Sequence, residues 1–390
     1  MERSHIARTR VFSFAAPGLM DGMLGLVKIA LPLLAIRFGA SAWFLGMLGW
    51  TAQGVRVPFT LGAGMLSEKI GRTRVIIPAA ALAALACGGL LLARNNTDVL
   101  VLNILLMAGV GAFFPALQAF IGDHSPKGEL RKNLSAHNAG WTISASVCAL
   151  GAGYLLAANK ALPFAIGAAF AFGAILLVWA WSRMPVIGAE PVDPSAGPAD
   201  GDTGPGPLLF IARTGHFLGF FGYSMASSLF PKLGIELGMH EGKIGVLVGM
   251  MLVGQAIGIL GAGAGPWWRG KLWPQILAQG MALGAGLTIF VAESPILFAT
   301  AFLVQGMSLG IAYTGALYYS LQARTDMGRN SGIHESLVAA GSIFGALAGG
   351  AAAEFISLRA PYLVFACSSL LAVAVSLVYL RRSSPKGTLA

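Results

Sequence analysis

Apolar residues run along the chain in blocks of about twenty or more, separated by short polar segments that hold most of the charges. The first block, Val11 to Ile36, follows Arg3, Arg8 and Arg10. Further blocks lie at 43–66, 75–93, 98–122, 135–158, 162–182, 208–233, 243–265, 272–292, 295–321, 332–355 and 361–380. Each is long enough to cross a hydrocarbon layer ~30 Å thick as a helix rising ~1.5 Å per residue. None shows the strict alternation of a barrel strand, and in lipid a spanning segment must satisfy its own backbone. The pattern therefore predicts an all-α membrane protein with twelve transmembrane helices. The first block is too long for the apolar core of a signal peptide and lacks a clear small-residue cleavage site, so it is expected to stay as the first span.

Composition points the same way. Of 390 residues, 56% are hydrophobic and 11% charged, and the mean hydropathy is +0.73. A soluble domain carries ~25% charged residues, so an ordinary soluble enzyme and a disordered chain are both excluded. The net charge of +10 changes the picture only through its placement. With the N-terminus in the cytoplasm, 17 of the Lys and Arg residues fall in inside segments and 6 (Arg37, Arg94, Lys160, Lys232, Lys243 and Arg359) in outside ones. That asymmetry predicts a multi-pass protein of the plasma (inner) membrane with both termini cytoplasmic, and it makes the bilayer rather than nucleic acid the partner of the basic charge. Cys87, Cys148 and Cys367 sit in apolar blocks, and no Cys/His group has metal-ligand spacing, so no metal and no cofactor are expected.

The segment 188–207 is rich in Pro, Gly, Ala and Asp and has no Lys or Arg. It reads as a flexible cytoplasmic linker between an N-terminal six-helix bundle, 1–187, and a C-terminal one, 208–390. The halves resemble each other at an offset of 199. Pro32, Ile36, Gly39 and Gly46 match Pro231, Ile235, Gly238 and Gly245, and Gly71-Arg72 matches Gly270-Lys271. Further on the offset is 197, where Asn133 and His137 match Asn330 and His334, and Leu150 and Gly153 match Leu347 and Gly350. This is a parallel repeat of six spans.

Between the second and third blocks stands Gly64-Met65-Leu66-Ser67-Glu68-Lys69-Ile70-Gly71-Arg72-Thr73-Arg74. It resembles the loop signature of the major facilitator superfamily at Gly64, Leu66, Ser67, Lys69, Gly71 and Arg72. It departs from it where Glu68 replaces the usual Asp and Thr73 a base. With the twelve spans and the six-plus-six repeat, the resemblance covers nearly the whole chain and implies two pseudo-symmetric bundles and a secondary active transporter. It also implies gating by Gly64, Glu68, Lys69, Gly71 and Arg72, because such ion pairs latch one state in the family. In the second half, Pro266-Trp267-Trp268-Arg269-Gly270-Lys271 has lost the carboxylate, which predicts a weaker latch. Two other family signatures are missing. Leu105 stands where many proton-coupled members carry arginine, and Gly151-Ala152-Gly153 lacks the Gly-Pro pair of many antiporters.

Ionisable groups inside a bilayer are costly and mark function by default. Asp21 and Lys28 lie on one face of the first span, near Gly18, Gly22 and Gly25, and Arg56 lies in the second span. Asp21 and Arg56 are both about 15 Å from the cytoplasmic end by helical rise, near the layer's middle. They are expected to face one another across a central cavity, with Lys28 a turn or two above. Two cations against one anion favour an organic anion or zwitterion as substrate. The matching positions in the second half are Phe220, Ser227 and Gln255, so the other wall would offer hydrogen bonds and aromatic surface from Gln255, Gln305, Tyr223 and Tyr313. His137, His334 and Glu335 are candidates for a proton relay, with Asn133 and Asn330 as helix caps; Arg213 and His216 raise the same possibility.

Neither catalytic motif in the chain fits an enzyme. Gly306-x-Ser308-x-Gly310 lies in an apolar helical run, not at a strand-to-helix turn, and Gly265-x4-Gly270-Lys271 is followed by Leu272 where a P-loop needs Ser or Thr. The sequence therefore points to alternating-access transport of a small solute, with protons or another ion as the coupling partner. The rival readings are a proton-coupled exporter of drugs or hydrophobic solutes with Asp21 as carrier, and a non-transporting sensor or scaffold.

Overall fold

A computed structural model describes residues 2–126, 128–184, 207–322 and 327–383; the greater part of the expected linker lies outside them. It contains twelve long helices: α1 (Glu2–Arg37), α2 (Ala42–Ile70), α3 (Arg72–Gly89), α4 (Asn96–Asp123), α5 (Leu130–Ala158), α6 (Leu162–Trp181), α7 (Pro207–Glu236), α8 (Glu241–Gly263), α9 (Trp273–Val291), α10 (Pro295–Gln322), α11 (Met327–Phe355) and α12 (Ala360–Ser383). Every apolar block carries one of these helices, and the block at 75–93 ends in a short 3-10 turn, Leu90–Leu92, after α3. The helices run past the blocks at several ends because hydropathy marks where lipid stops, whereas Arg, Lys and Glu continue a helix into water at little cost. Large apolar side chains such as Leu85, Leu92 and Ile296 stay exposed while His, Gln and Ser are buried. That inversion is expected where the surrounding solvent is hydrocarbon.

The repeat is visible in the turns. α1 and α7 end on Gly39 (φ 78°) and Gly238 (φ 72°), which are repeat partners. The amide of Gly39 bonds to the Ile36 carbonyl and that of Ala40 to Ala35; Gly238 and Met239 make the same pair of bonds to Ile235 and Gly234. Gly71 (φ 100°) and Gly270 (φ 67°), also partners, turn the chain after α2 and before α9. Only glycine takes such φ values without strain.

The helices pack as two compact units. One holds α1, α2 from Thr51 onward, α3 to α6, and Gly234–Gly249 at the junction of α7 and α8. The other holds Ala42–Trp50 of α2, α7 up to Leu233, α8 from Met250, and α9 to α12. The units thus differ from the sequence halves by an exchange of two helix ends. In the first unit, Gly245 meets Gly153 of α5 and Gly249 meets Leu150, so that a Cβ on Gly245 would lie 2.9 Å from the Gly153 nitrogen. At the same place Arg37 holds Glu241 with two hydrogen bonds, at 2.7 and 2.5 Å. In the second unit, Gly46 of α2 meets Gly350 and Ala346 of α11, with a Cβ 2.7 Å from the Ala346 carbonyl oxygen, and the Trp43 amide donates to Glu354 at 3.0 Å. Gly46 and Gly245 are repeat partners, as are Gly350 and Gly153, so the same glycine crossing is built twice.

A side chain at Gly153 would run into the backbone of Glu241, whereas Gly151 two residues earlier has open space. Gly153→Leu is therefore expected to cost roughly 1–3 kcal/mol of stability through overpacking, and Gly151→Leu close to nothing. Thermal unfolding of both variants in lipid or detergent checks this.

Candidate substrate and gating sites

The first unit positions the expected membrane charges by close helix packing. Gly18 of α1 lies against Gly140 and Ser144 of α5, Gly25 against Ala145, and Gly22 against Phe170 of α6. This glycine face brings α1 onto α5 and α6, and Asp21 and Lys28 stand half-buried at its edge. On the other side, Gly111 of α4 lets the α2 backbone approach at Arg56, where a Cβ would fall 2.7 Å from the Arg56 carbonyl oxygen. Small residues are the usual means of bringing membrane helices together, and here they fix the backbone from which each charge projects. Arg56, and after it Lys28, act electrostatically on the Asp21 carboxylate.

The signature loop closes on Ser67 and Gly64 of its own motif and on one carboxylate from outside it. Arg72 donates from Nη1 to Ser67 Oγ at 2.9 Å and from Nε to Asp123 Oδ2 at 3.1 Å. Ser67 Oγ in turn donates to the Gly64 carbonyl at 2.8 Å. Glu68, the motif carboxylate, is 70% exposed and stands 4.0 Å from Arg72. Lys69 is exposed. Asp123, the last residue of α4, is therefore the closer partner of Arg72, and only its position at a span end hints at this in the sequence.

The equivalent turn of the second unit is built from aromatic groups. The indole N–H of Trp268 donates to the Ala262 carbonyl at 2.7 Å and that of Trp267 to Gly261 at 3.3 Å, capping the end of α8. The Gly270 amide donates to the Tyr319 hydroxyl, and the Arg269 guanidinium lies 5.0 Å over the Tyr318 ring.

A further ion cluster ties α1 to the start of α5. Arg10 pairs with Glu129, which also accepts from Lys132 at 2.7 Å. The Lys132 hydrogen bond, followed by the charges of Lys132 and Arg10, holds the Glu129 carboxyl below its ordinary value of 4.5. Glu129 precedes the first residue of α5, so the expected cap Asn133 lies one turn inside that helix. Asn133 caps nothing there; it donates from Nδ2 to Ser125 Oγ at 3.0 Å in a buried position. The helix begins earlier than the apolar block because Leu130-Arg131-Lys132 favours helix.

His137 is buried, with Nε2 3.4 Å from Gln118 Nε2 and its ring edge-on to Phe114. In the second unit, the buried His334 stacks on His216, with centroids 4.2 Å apart and planes 16° apart, and Tyr313 packs against both. Glu335, the next residue, is exposed. Tyr223 is buried and edge-on to Phe220, which is itself edge-on to His216. Gln255 is buried where Gly306 and Gly310 of α10 meet its backbone, and Gln305 is buried with both polar atoms of its amide unpartnered among the described residues. Ser308, of the Gly-x-Ser-x-Gly run, lies in the middle of α10 and donates to the Ala278 carbonyl at 2.6 Å.

Among the described residues, ten of the twelve helices are long and apolar enough to cross a membrane, and the chain carries a six-helix repeat, ionisable side chains inside the helices and a glycine-turned loop tied by Arg72. The sequence model of the Major Facilitator Superfamily matches residues 14–323 and again 213–389, and the chain belongs to that family. Solved structures share the fold. A bacterial homologue of the human lysosomal transporter Spinster, in an inward-facing and occupied conformation, matches with a TM-score of 0.71 and 15% identity over 97% of each chain. The nucleoside transporter NupG matches with a TM-score of 0.71 and 11% identity, over 95% of this chain and 99% of its own. The POT family transporter PepTSo matches with 0.69 and 14%, over 96% and 98%. No curated sequence relative matches the chain.

Two outcomes test the electrostatics of these loops. Because Arg72 is nearer to Asp123 than to Glu68, Asp123→Asn is expected to remove most of whatever the latch contributes, up to about 1 kcal/mol for an exposed pair, and Glu68→Gln little. A double-mutant cycle with Arg72→Ala reads the difference. For Glu129 the folded value lies below the unfolded one. Its pairing therefore stabilises fully above pH 4.5 and is lost as the pH falls through the folded value. Glu129→Gln should flatten that acid limb in a melting-temperature profile.

Proposed function

We propose that this transporter moves a small organic anion or zwitterion by alternating access, and that Asp21, Lys28 and Arg56 form its charged substrate-binding and coupling centre. The supporting observation is the cluster itself. Glycine packing fixes the helices from which Arg56 and Lys28 both act electrostatically on the Asp21 carboxylate, two cations against one anion within apolar helices. A carboxylate ligand would compete with Asp21 for Arg56. Binding that exchanges one charge pair for another gives the substrate different energies in different states, which a transport cycle requires. Gln255, Gln305, Tyr223 and Tyr313 supply neutral hydrogen-bonding and aromatic groups in this reading, and the loop of Gly64, Glu68, Lys69, Gly71 and Arg72 acts as a gate, strengthened by Asp123. The basic-residue asymmetry supports an inner-membrane protein with both termini in the cytoplasm.

A thermal-shift screen of the purified protein against metabolite anions and amino acids identifies the ligand, since binding to the native state alone raises stability. Arg56→Ala is expected to lower uptake or efflux of that ligand by about 30-fold or more, matching the ~2 kcal/mol or more lost on removing one partner of a buried charged hydrogen bond. Membrane insertion should be unchanged. Full transport in this variant rejects the assignment.

A further inference from the structure

We propose that the turn between α8 and α9 binds the headgroups of anionic phospholipids, with Arg269 and Lys271 as the phosphate-binding cations and Trp267 and Trp273 seated at the edge of the hydrocarbon. The site stands apart from Asp21, Lys28 and Arg56 and does not rest on the reading of transport.

The level of the turn in the membrane follows from α9. Trp273, Leu277, Gly280, Gly284, Leu287 and Val291 recur at three- and four-residue spacing and are all exposed. One face of the helix is therefore open along its whole length, and in a membrane protein such a face meets lipid. From Trp273 to Val291 the helix rises about 27 Å at ~1.5 Å per residue, against ~30 Å for the hydrocarbon layer. Trp273 thus stands at one edge of that layer, and Lys271 and Arg269, just before it in the chain, lie at headgroup level. On α8, Ile257 and Leu260 are exposed in the last two turns before the same loop. Trp267 is exposed too, and its ring centroid lies 5.6 Å from that of Trp273. Indoles gather at the boundary between lipid and water because one body serves both.

The turn is built before any lipid arrives. Trp268 is buried with Tyr319, Ala262 and Leu209. The Gly270 amide is held by the Tyr319 hydroxyl, and the Lys271 amide donates to the Trp268 carbonyl at 3.2 Å. The face of the Tyr318 ring carries the Arg269 guanidinium. A headgroup therefore meets a backbone that is already fixed, which lowers the cost of binding.

Charge selects the ligand. Arg269 and Lys271 are exposed and make no ion pair among the described residues. Between Glu241 and Glu293 the chain has no Asp or Glu. α9 begins without a side-chain cap, so the positive end of its dipole adds to the two cations. The repeat supplies an internal contrast. In the first unit Arg72 is taken up by Asp123 and Ser67, with Glu68 near by. Lys271 keeps the cation of Arg72, but Trp267 replaces Glu68 and Trp273 replaces Arg74. The second copy has thus exchanged an ion pair between helices for open cations beside apolar surface. That combination fits a phosphate that arrives attached to acyl chains and brings no cation of its own. Each base at an anionic leaflet contributes about fivefold to binding, so two contribute about 25-fold. On the sidedness proposed above, the leaflet is the cytoplasmic one.

Quenching of tryptophan emission by brominated lipids, with the full chain in nanodiscs, tests the site. Brominated phosphatidylglycerol and brominated phosphatidylcholine are compared at equal mole fraction in a phosphatidylcholine bilayer. The expected result is a preference for the anionic lipid of about 25-fold. It should vanish when Arg269→Gln and Lys271→Gln are combined and remain in Lys160→Gln, at another exposed base. With Trp267→Phe and Trp273→Phe together, the quenched component of the emission should be missing. No preference in the native chain, a preference that survives the double glutamine variant or is equally lost in Lys160→Gln, or a quenched component that persists without the two indoles overturns the proposal. Salt gives the same test without any substitution. The preference should fall several-fold between about 0.1 M and 1 M salt as the charges are screened, and an unmoved preference counts against the site. Melting in neutral detergent, with short-chain phosphatidylglycerol or with inorganic phosphate, separates the two sources of phosphate. Stabilisation by the lipid alone supports the proposal, and equal stabilisation by inorganic phosphate overturns the assignment to lipid.

Discussion

A helix in lipid has no water to fall back on, so each polar group inside the layer has to be answered by protein. That constraint organises this molecule. Serines and threonines bond back to carbonyls in their own helices, as Ser13 does to Thr9 and Ser146 to Thr142. Gln279 ties α9 to the Ile211 carbonyl of α7 and to Ser376 of α12. Against that background several buried groups stand out, the amides of Gln275 and Gln305 and the Tyr362 hydroxyl among them. Asp21 sits in the field of two cations within an apolar helix, and among the described residues His216 and His334 have no partner for any ring nitrogen.

Glycine is what makes the arrangement possible. It closes α1 onto α5 and α6 and α4 onto α2, and it appears twice as the crossing of a helix end with α5 or α11. These approaches leave no room for a Cβ, so they set helix positions closely. The charges of the first unit therefore ride on a rigid frame. Divergence between the repeats then separates scaffold from chemistry. The turns at Gly39 and Gly238 and the crossing glycines are kept in both copies. Asp21, Lys28 and Arg56 are confined to the first copy, and His216, Arg213 and the phenol of Tyr313 to the second.

Much of this is legible in the amino-acid sequence. Apolar block length locates all twelve helices, and the glycines that recur at a fixed offset fall at turns and crossings. The membrane charges are visible because they interrupt apolar runs. Pairing over long separations is not legible. Nothing local to Arg72 indicates Asp123, fifty-one residues away, and nothing local to Arg37 indicates Glu241. Periodicity tells which face of a helix a residue occupies, not which helix it meets. For the same reason Arg213 and His216 can be suspected of the same chemistry as His334, but the stacking of His216 on His334 cannot be read. The cap expected at Asn133 is absent because α5 starts beyond the apolar block, where charged residues extend the helix.

The central claim is that a ligand carboxylate takes over Arg56 from Asp21. Ligand-induced stabilisation by a panel of mono- and dicarboxylates, compared among the native chain, Asp21→Asn and Arg56→Gln, addresses it directly. Removing the competing carboxylate in Asp21→Asn should enlarge the shift given by the binding compound, and removing the guanidinium in Arg56→Gln should abolish it. The same shift in all three proteins would contradict the claim.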